Sequence, residues 1–382
     1  MIYLDNAATS FPKPEGVYQA LDRYARTALA NPGRAGHRLA VGAKATLDDA
    51  RLRLTRFING TGPDRLAFAL NCTDALNMAV KGVLNPGDHV VTTDLEHNSV
   101  SRPLVALAEA GHITLTRVPA DSGGTVHPDA IQAALTPATR LVALSHASNV
   151  LGTVQPVAEI GRVCRERDVL FLVDAAQTIG VLPIDVRAMH VSLLAFPGHK
   201  GLFGPTGTGG LYVAPGVKVR AWREGGTGGD SKSPTQPTGF PEYLEGGTPN
   251  LLGIVGMVAG LDFVEEKGVE AICRHEVELC ERLRQRLADN PLIVPVGHAD
   301  PARRVGTFSF RCEVMGSEDL AGVLDSSFDI CVRAGNHCAP YVHRAVGSYA
   351  DGLTRVSSGP FNTAADIDKL ADALAEITGM AR

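Results

Sequence analysis

Seven short apolar runs set the frame for this chain: Leu66–Leu70, His89–Thr92, Ile113–Val118, Leu141–Ser145, Val169–Asp174, Val191–Phe196 and Gly210–Val213. Each has the length of a strand. Runs this apolar, with little polar alternation, fit strands buried on both faces of a sheet. Helix-period segments surround them. Val17, Leu21, Tyr24 and Ala28 follow Pro14 at helical spacing, and Ala43, Leu47, Ala50, Leu54 and Phe57 repeat the pattern. Strands interleaved with helices predict an α/β fold on a mostly parallel sheet, spanning residues 15–255.

The texture changes after Leu251. Helices are predicted at 251–267 and 270–288, strands at Gly306–Arg311, Ile330–Arg333 and Thr354–Ser357, and a last helix at about 363–380. We read 256–382, joined by residues 1–14, as a smaller α/β domain. Before it, the segment 224–249 carries seven Gly and four Pro in 26 residues. Such a stretch is either a surface connector or a loop at an active site or subunit contact.

Composition narrows the function classes. With 382 residues, 45% of them apolar and 20% charged, the chain is neither disordered nor collagen-like. A net charge of −5 argues against non-specific nucleic-acid binding, which needs a basic surface. The longest apolar run, Leu251 to Leu261, falls far short of the ~20 residues that span a bilayer, so no membrane is expected. The opening MIYLDNAATS lacks a basic region and a long apolar core, so no secretory signal is expected either. Seven cysteines, none in Cys-x-x-Cys spacing, predict no metal site of that kind and a reduced, cytoplasmic protein.

Several mechanisms are missing: there is no Gly-x-Ser-x-Gly, His-Glu-x-x-His or phosphate-binding Gly-x-x-x-x-Gly-Lys-Ser/Thr. What remains clusters after the predicted strands. Lys200 lies in the turn after Val191–Phe196, at the sheet edge where α/β enzymes bind ligands. A lysine held dry there can form a Schiff base; otherwise it is simply solvated. Asp174 closes an apolar strand, where a carboxylate needs a cationic or hydrogen-bonding partner. A pyridinium nitrogen is one such partner, an ion pair or a helix cap another. Asn71-Cys72-Thr73-Asp74 joins a strand to a helix, so its backbone N–H groups and the Thr73 hydroxyl offer a phosphate seat or an ordinary helix start. His97 follows a strand and could lie over a cofactor ring or at the surface. Cys338 sits in Arg333-Ala-Gly-Asn-His337-Cys338-Ala-Pro340, a loop that suits a reachable thiol, although most lone cysteines are inert. Arg355 can grip a carboxylate in two places or form an ion pair.

Together these segments resemble the class V aminotransferase group of pyridoxal-phosphate enzymes and, within it, the cysteine desulfurases. The likeness runs over nearly the whole chain. It joins Tyr3-Leu4-Asp5-Asn6-Ala7-Ala8, Asn71–Thr73, Glu96-His97, Ser145–Gly152, Val173–Gln177, Gly198-His199-Lys200, Gly246–Asn250, Arg333–Cys338, and Arg355 with Phe361–Thr363, in the family's order. The short Arg-x-Gly-x-His-Cys loop is similar to that of the second desulfurase group. The resemblance implies pyridoxal-phosphate fold type I: a large domain with a mostly parallel seven-stranded sheet and a smaller C-terminal domain.

Carried over residue by residue, it implies that Lys200 binds pyridoxal 5'-phosphate covalently. Asp174 meets the pyridine nitrogen and Gln177 the phenolic oxygen. His97 stacks on the ring and moves protons. Cys72, Thr73 and His199 serve the phosphate end, with Thr248 reaching it from a second subunit of a homodimer. Asn149 and Arg355 hold the substrate carboxylate, Asn6, Ala7, His37 and Arg333 occupy further substrate positions, and Cys338 attacks the sulfur. The implied activity converts L-cysteine to L-alanine and an enzyme persulfide, passed to a protein or small thiol in pathways such as iron–sulfur cluster assembly. A selenocysteine lyase, an aminotransferase or a silent scaffold are the alternatives. Two positions depart from the family pattern: Pro197 replaces a hydroxyl residue that helps bind phosphate, and Asn336 replaces a histidine.

Overall fold

In the computed structural model, which describes residues 1–32, 36–227 and 232–380, the seven apolar runs form one sheet. The strands are β1 (Ile2–Tyr3), β2 (Leu66–Ala69), β3 (Asp88–Thr93), β4 (Ile113–Val118), β5 (Thr139–Ser145), β6 (Leu170–Asp174), β7 (Leu193–Pro197), β8 (Gly209–Val213), β9 (Ile293–Val296), β10 (Thr307–Cys312), β11 (Ile330–Cys331) and β12 (Thr354–Ser357). The helices are α1 (Glu15–Thr27), α2 (Arg38–Phe57), α3 (Cys72–Val83), α4 (Asn98–Glu109), α5 (Pro128–Ala134), α6 (Val157–Glu166), α7 (Leu251–Lys267), α8 (Val269–Arg286), α9 (Ser317–Phe328), α10 (Pro340–Ala345) and α11 (Ala364–Met380).

The large sheet has the order β2-β8-β7-β6-β5-β3-β4. Only β8 runs against the others, pairing antiparallel with both β2 and β7. Six strands therefore end at the same edge. Helices cover both faces, and the side chains show it. Along β6, Phe171 and Val173 join one apolar core while Leu172 joins the other. That double burial is why the strand sequences read as unbroken apolar runs.

A second, three-stranded antiparallel sheet has the order β12-β10-β9, and β1 pairs parallel with β11. The packing of α8 and α9 on these strands, with α11 against α8, buries a separate core around Phe308, Phe310 and Leu320. Two helices meet where the units join. α7 packs on α1 and α2 as well as α8, so the expected boundary at residue 255 falls inside a helix. Among the described residues, no helix is long and apolar enough to cross a membrane.

The Gly- and Pro-rich segment 224–249 is described except for residues 228–231, which lie outside the described residues. It is pinned at Glu245. That carboxylate accepts from Arg51 Nη1 at 2.6 Å and Nη2 at 3.1 Å, and from the Phe68 amide at 2.6 Å. The segment is thereby fastened to the start of the large sheet.

Candidate active site

The shared edge of the parallel strands opens into a cavity of about 300 Å³. Its floor is built by strand ends. Asp174 is the last residue of β6, and its strand neighbours are Ser145 on β5 and Ala195 on β7. Lys200 follows the end of β7 by three residues. Both line the cavity. Asp174 is 4% exposed, so its carboxylate needs donors. Oδ1 accepts from the Ala176 amide at 2.9 Å and from the Cys72 thiol at 3.3 Å. Among the described residues Oδ2 has no hydrogen-bond partner and is left for something in the cavity. Desolvation pushes the Lys200 amine below its ordinary pKa, partly opposed by Asp174. A neutral amine is the nucleophilic form.

The end of β2 supplies the next wall. Asn71 caps α3 by accepting from the Asp74 amide at 2.9 Å. The first N–H groups of the helix, those of Cys72 and Thr73, have no intrahelical acceptor and give an anion seat at the cavity. Thr73 Oγ1 lies 2.7 Å from Ser99 Oγ, which in turn lies 2.9 Å from His97 Nδ1. His97 also caps α4, because Nδ1 accepts from the Ser99 amide at 3.0 Å. That bond fixes the tautomer: a neutral His97 carries its proton on Nε2. Burial lowers its pKa, with Asp174 pulling the other way. His199 Nδ1 lies 3.1 Å from Thr9 Oγ1, and burial followed by the nearby Lys200 charge brings its pKa down to about 4.

The smaller unit closes the cavity with Arg355, Arg333, His337 and Cys338. Arg355 is 3% exposed and donates to Asp5 Oδ1 at 2.6 Å and to the Asn149 carbonyl at 2.9 Å. Two of its five N–H donors are thus used, and Nε is buried without a partner. The Cys338 loop is unusual in its backbone: Gly335, His337 and Cys338 have φ of 89°, 47° and 56°. Left-handed conformations cost a non-glycine residue about 1–2 kcal/mol. Two bonds from the large unit hold them. Asn98 N–H donates to the Cys338 carbonyl at 2.7 Å, and Asn149 Nδ2 donates to the His337 carbonyl at 2.8 Å. His337 itself is buried against His343, with Nδ1 3.3 Å from Nε2, and burial lowers the two pKa values to about 3 and about 4. Cys338, by contrast, is exposed.

Most of the residues singled out from the sequence therefore line one cavity, including Ala7 and Gln177, whose Nε2 donates to the Ala7 carbonyl at 3.2 Å. Three stand elsewhere. Asn6 lines a smaller adjoining cavity of about 40 Å³ that shares the Lys200 and Gln177 walls. His37 is exposed and caps α2. Thr248 lies in a separate depression with Gly207 and Asn250. Sequence reasoning passed over Ser99, which links Thr73 to His97. The hint was a hydroxyl residue two places after a histidine at a helix start.

The donor set fits pyridoxal phosphate: a desolvated lysine, a carboxylate oxygen left open to the same cavity, and a helix N-terminus with hydroxyls beside it. Comparison with known proteins agrees. The family model "Aminotransferase class-V" matches residues 2–370. A probable cysteine desulfurase of Methanothermobacter thermautotrophicus is 38% identical, over 99% of this chain and 95% of the relative. Among solved structures, the apo cysteine desulfurase of Thermococcus onnurineus superposes with a TM-score of 0.94 at 31% identity, covering 99% of this chain and 95% of that one. A cysteine desulfurase of Escherichia coli gives 0.89 at 26% identity, covering 99% and 94%.

Proposed function

The chain belongs to the class-V aminotransferase family, and from that premise we propose that it is a pyridoxal-phosphate-dependent cysteine desulfurase, releasing L-alanine from L-cysteine and keeping the sulfur on Cys338. One observation carries this reading: a desolvated lysine and an exposed cysteine line the same cavity. An aminotransferase has no use for the second.

Pyridoxal phosphate supplies an aldehyde that takes up amines and a ring that accepts the electron pair left when an amino acid loses its Cα proton. The chain's residues do the rest. Lys200 Nζ would hold the cofactor aldehyde and would be the base for the substrate Cα proton. Asp174 Oδ2 would accept the ring N–H and favour the protonated ring. Gln177 serves the phenolic oxygen. The α3 amides, Thr73 and His199 bind the phosphate. Pro197 brings no hydroxyl there, and Ser99, already bonded to Thr73, supplies one instead. His97 Nε2 would offer a proton inside the cavity. Arg355 and Asn149 orient the substrate carboxylate.

The Cys338 thiolate attacks the substrate sulfur. A sulfur–sulfur bond forms, the Cβ–S bond breaks with its electron pair left on carbon, and Cβ is protonated. Cysteine plus enzyme thiol thus gives alanine plus enzyme persulfide, with atoms in balance. Exposure of Cys338 lets a protein or small thiol collect the sulfur, consistent with a cytoplasmic role in sulfur supply such as iron–sulfur cluster assembly. Thr248, standing outside its own chain's cavity, supports a homodimer in which it completes the phosphate site of the other subunit.

The test is Cys338→Ala. Alanine release from L-cysteine should be lost while cofactor binding is retained. Release at the wild-type rate would remove the thiol from the mechanism, and selenocysteine turnover that survives the change would favour a lyase.

A further inference from the structure

Cys72 has no assigned chemistry beyond its place at the α3 start, yet its thiol reaches the residue on which the cofactor's electronics depend. Its Sγ lies 3.3 Å from Asp174 Oδ1. The side chain is 9% exposed and packs in the apolar core beneath the cavity. Burial, then the Asp174 charge, push the thiol pKa well above its ordinary value. Cys72 is therefore an S–H donor, unfit to be a nucleophile or a sulfur carrier. On the carboxylate it shares Oδ1 with the Ala176 amide, so both donors fall on one oxygen and the other stays free for the cavity.

We infer that Cys72 is a positioning residue acting through Asp174: its S–H, held on Oδ1, stabilises the negative charge of the carboxylate and leaves Oδ2 to receive the ring N–H of pyridoxal phosphate. A donor to the charged form of an acid disfavours proton uptake by it. The shared proton then stays on the ring nitrogen, where it draws electrons. Removing the donor moves that proton toward Asp174. A hydroxyl in its place is a stronger donor than a thiol and restores or exceeds the effect. The inference rests on the cofactor assignment above, and its two measurements separate from that assignment.

The first uses the apo chain and needs no cofactor. The infrared S–H stretch of Cys72, isolated as wild type minus Cys72→Ala, should lie below that of a free thiol and move up in Asp174→Asn. A band that Asp174→Asn leaves in place overturns the inference whatever the protein binds. The second uses holoenzyme reconstituted with pyridoxal phosphate carrying 15N in the ring. Cys72→Ala should shift the ring-nitrogen resonance toward that of neutral pyridine, and Cys72→Ser should hold it at the protonated position. An unshifted resonance in Cys72→Ala also overturns the inference. A wild-type chain that takes up no cofactor defeats the functional reading instead, and the infrared result then stands alone.

Discussion

Lys200 and Asp174 come from the ends of neighbouring strands deep in a seven-stranded sheet, whereas Cys338 comes from a turn with two successive non-glycine residues at positive φ. The first pair is desolvated, with Asp174 fixed by strand register and Lys200 by the turn that follows β7. The second is exposed and held through two carbonyls, by Asn98 and Asn149. The contrast follows from the two chemistries. A lysine amine held below its ordinary pKa and an oriented carboxylate need a dry, rigid floor. A thiol that takes a sulfur and hands it on must meet both the substrate inside and an acceptor outside, so its carrier is a loop anchored at its backbone and open at its side chain.

Removing one side chain from the floor should break the comparison hardest. Lys200→Ala is expected to lower alanine formation by roughly 10²- to 10⁴-fold, the range for loss of a positioned general base. It should also abolish the borohydride-fixed link to the cofactor while leaving Cys338 as reactive toward alkylating agents as in wild type. Equal loss of thiol reactivity would mean that the floor and the loop are one cooperative unit.

Acidity should sharpen the comparison, because the two regions store opposite titrations. Folding takes His337 from its ordinary value of 6.5 down to about 3 through burial. Between those values the unfolded chain binds the extra proton. Stability from this region is thus complete above about pH 6.5 and lost as pH falls toward 3. Glu96, fully buried behind His97, is raised by burial from 4.5 to about 8, against the pull of its bonds from Thr93 at 2.6 Å and Ser145 at 2.9 Å. There the folded chain holds the extra proton, so the contribution is complete below about pH 4.5 and lost as pH rises through 8. Each such group gives a slope of about 1.4 kcal/mol per pH unit inside its window. Hydrogen exchange followed from pH 5 to 8 should show the 333–348 region gaining protection with pH relative to the β3–α4 junction. A common trend in both would refute the assignment.

The gentlest intervention is Asn149→Ala, which frees the His337 carbonyl at a cost of about 1 kcal/mol. Amide exchange across residues 336–339 should speed up about five-fold, with that of β6 unchanged. Uniform acceleration would place the anchor in the global fold instead.

These regions also differ in how well the sequence foretells them. Strands such as β4 and β12 match their expected spans, Ile113–Val118 and Thr354–Ser357, and α7 matches 251–267. In inner strands such as β6 and β7, double-sided burial leaves a continuous apolar run that no loop imitates. β9 escaped notice because Ile293-Val294-Pro295-Val296 pairs only with β10 and is partly exposed. β1 escaped because two residues make no pattern, and the strand exists only through its pairing with β11. The expected strand Ile330–Arg333 is β11 at Ile330–Cys331, and Arg333 carries the pairing on as an isolated bridge to Arg355 before the cysteine loop. At the site, Asp174 is legible because a charged residue closing an apolar strand has few uses, and Lys200 because it stands in the turn just after one. Ser99 and the Cys72–Asp174 contact are not, since each depends on how separate elements pack: Ser99 meets Thr73 only because α4 lies beside α3, and Cys72 meets Asp174 only because α3 lies over β6.

The central claim is that floor and loop serve one reaction, and a single mass measurement reaches it. The holoenzyme is given one equivalent of L-cysteine without reductant, digested and mapped, with alanine counted in the same sample. One added sulfur on the Cys338 peptide, equal in amount to the alanine released, is the predicted result. Alanine with the sulfur on another cysteine, or sulfide and alanine with no labelled peptide even at the earliest times, would contradict it.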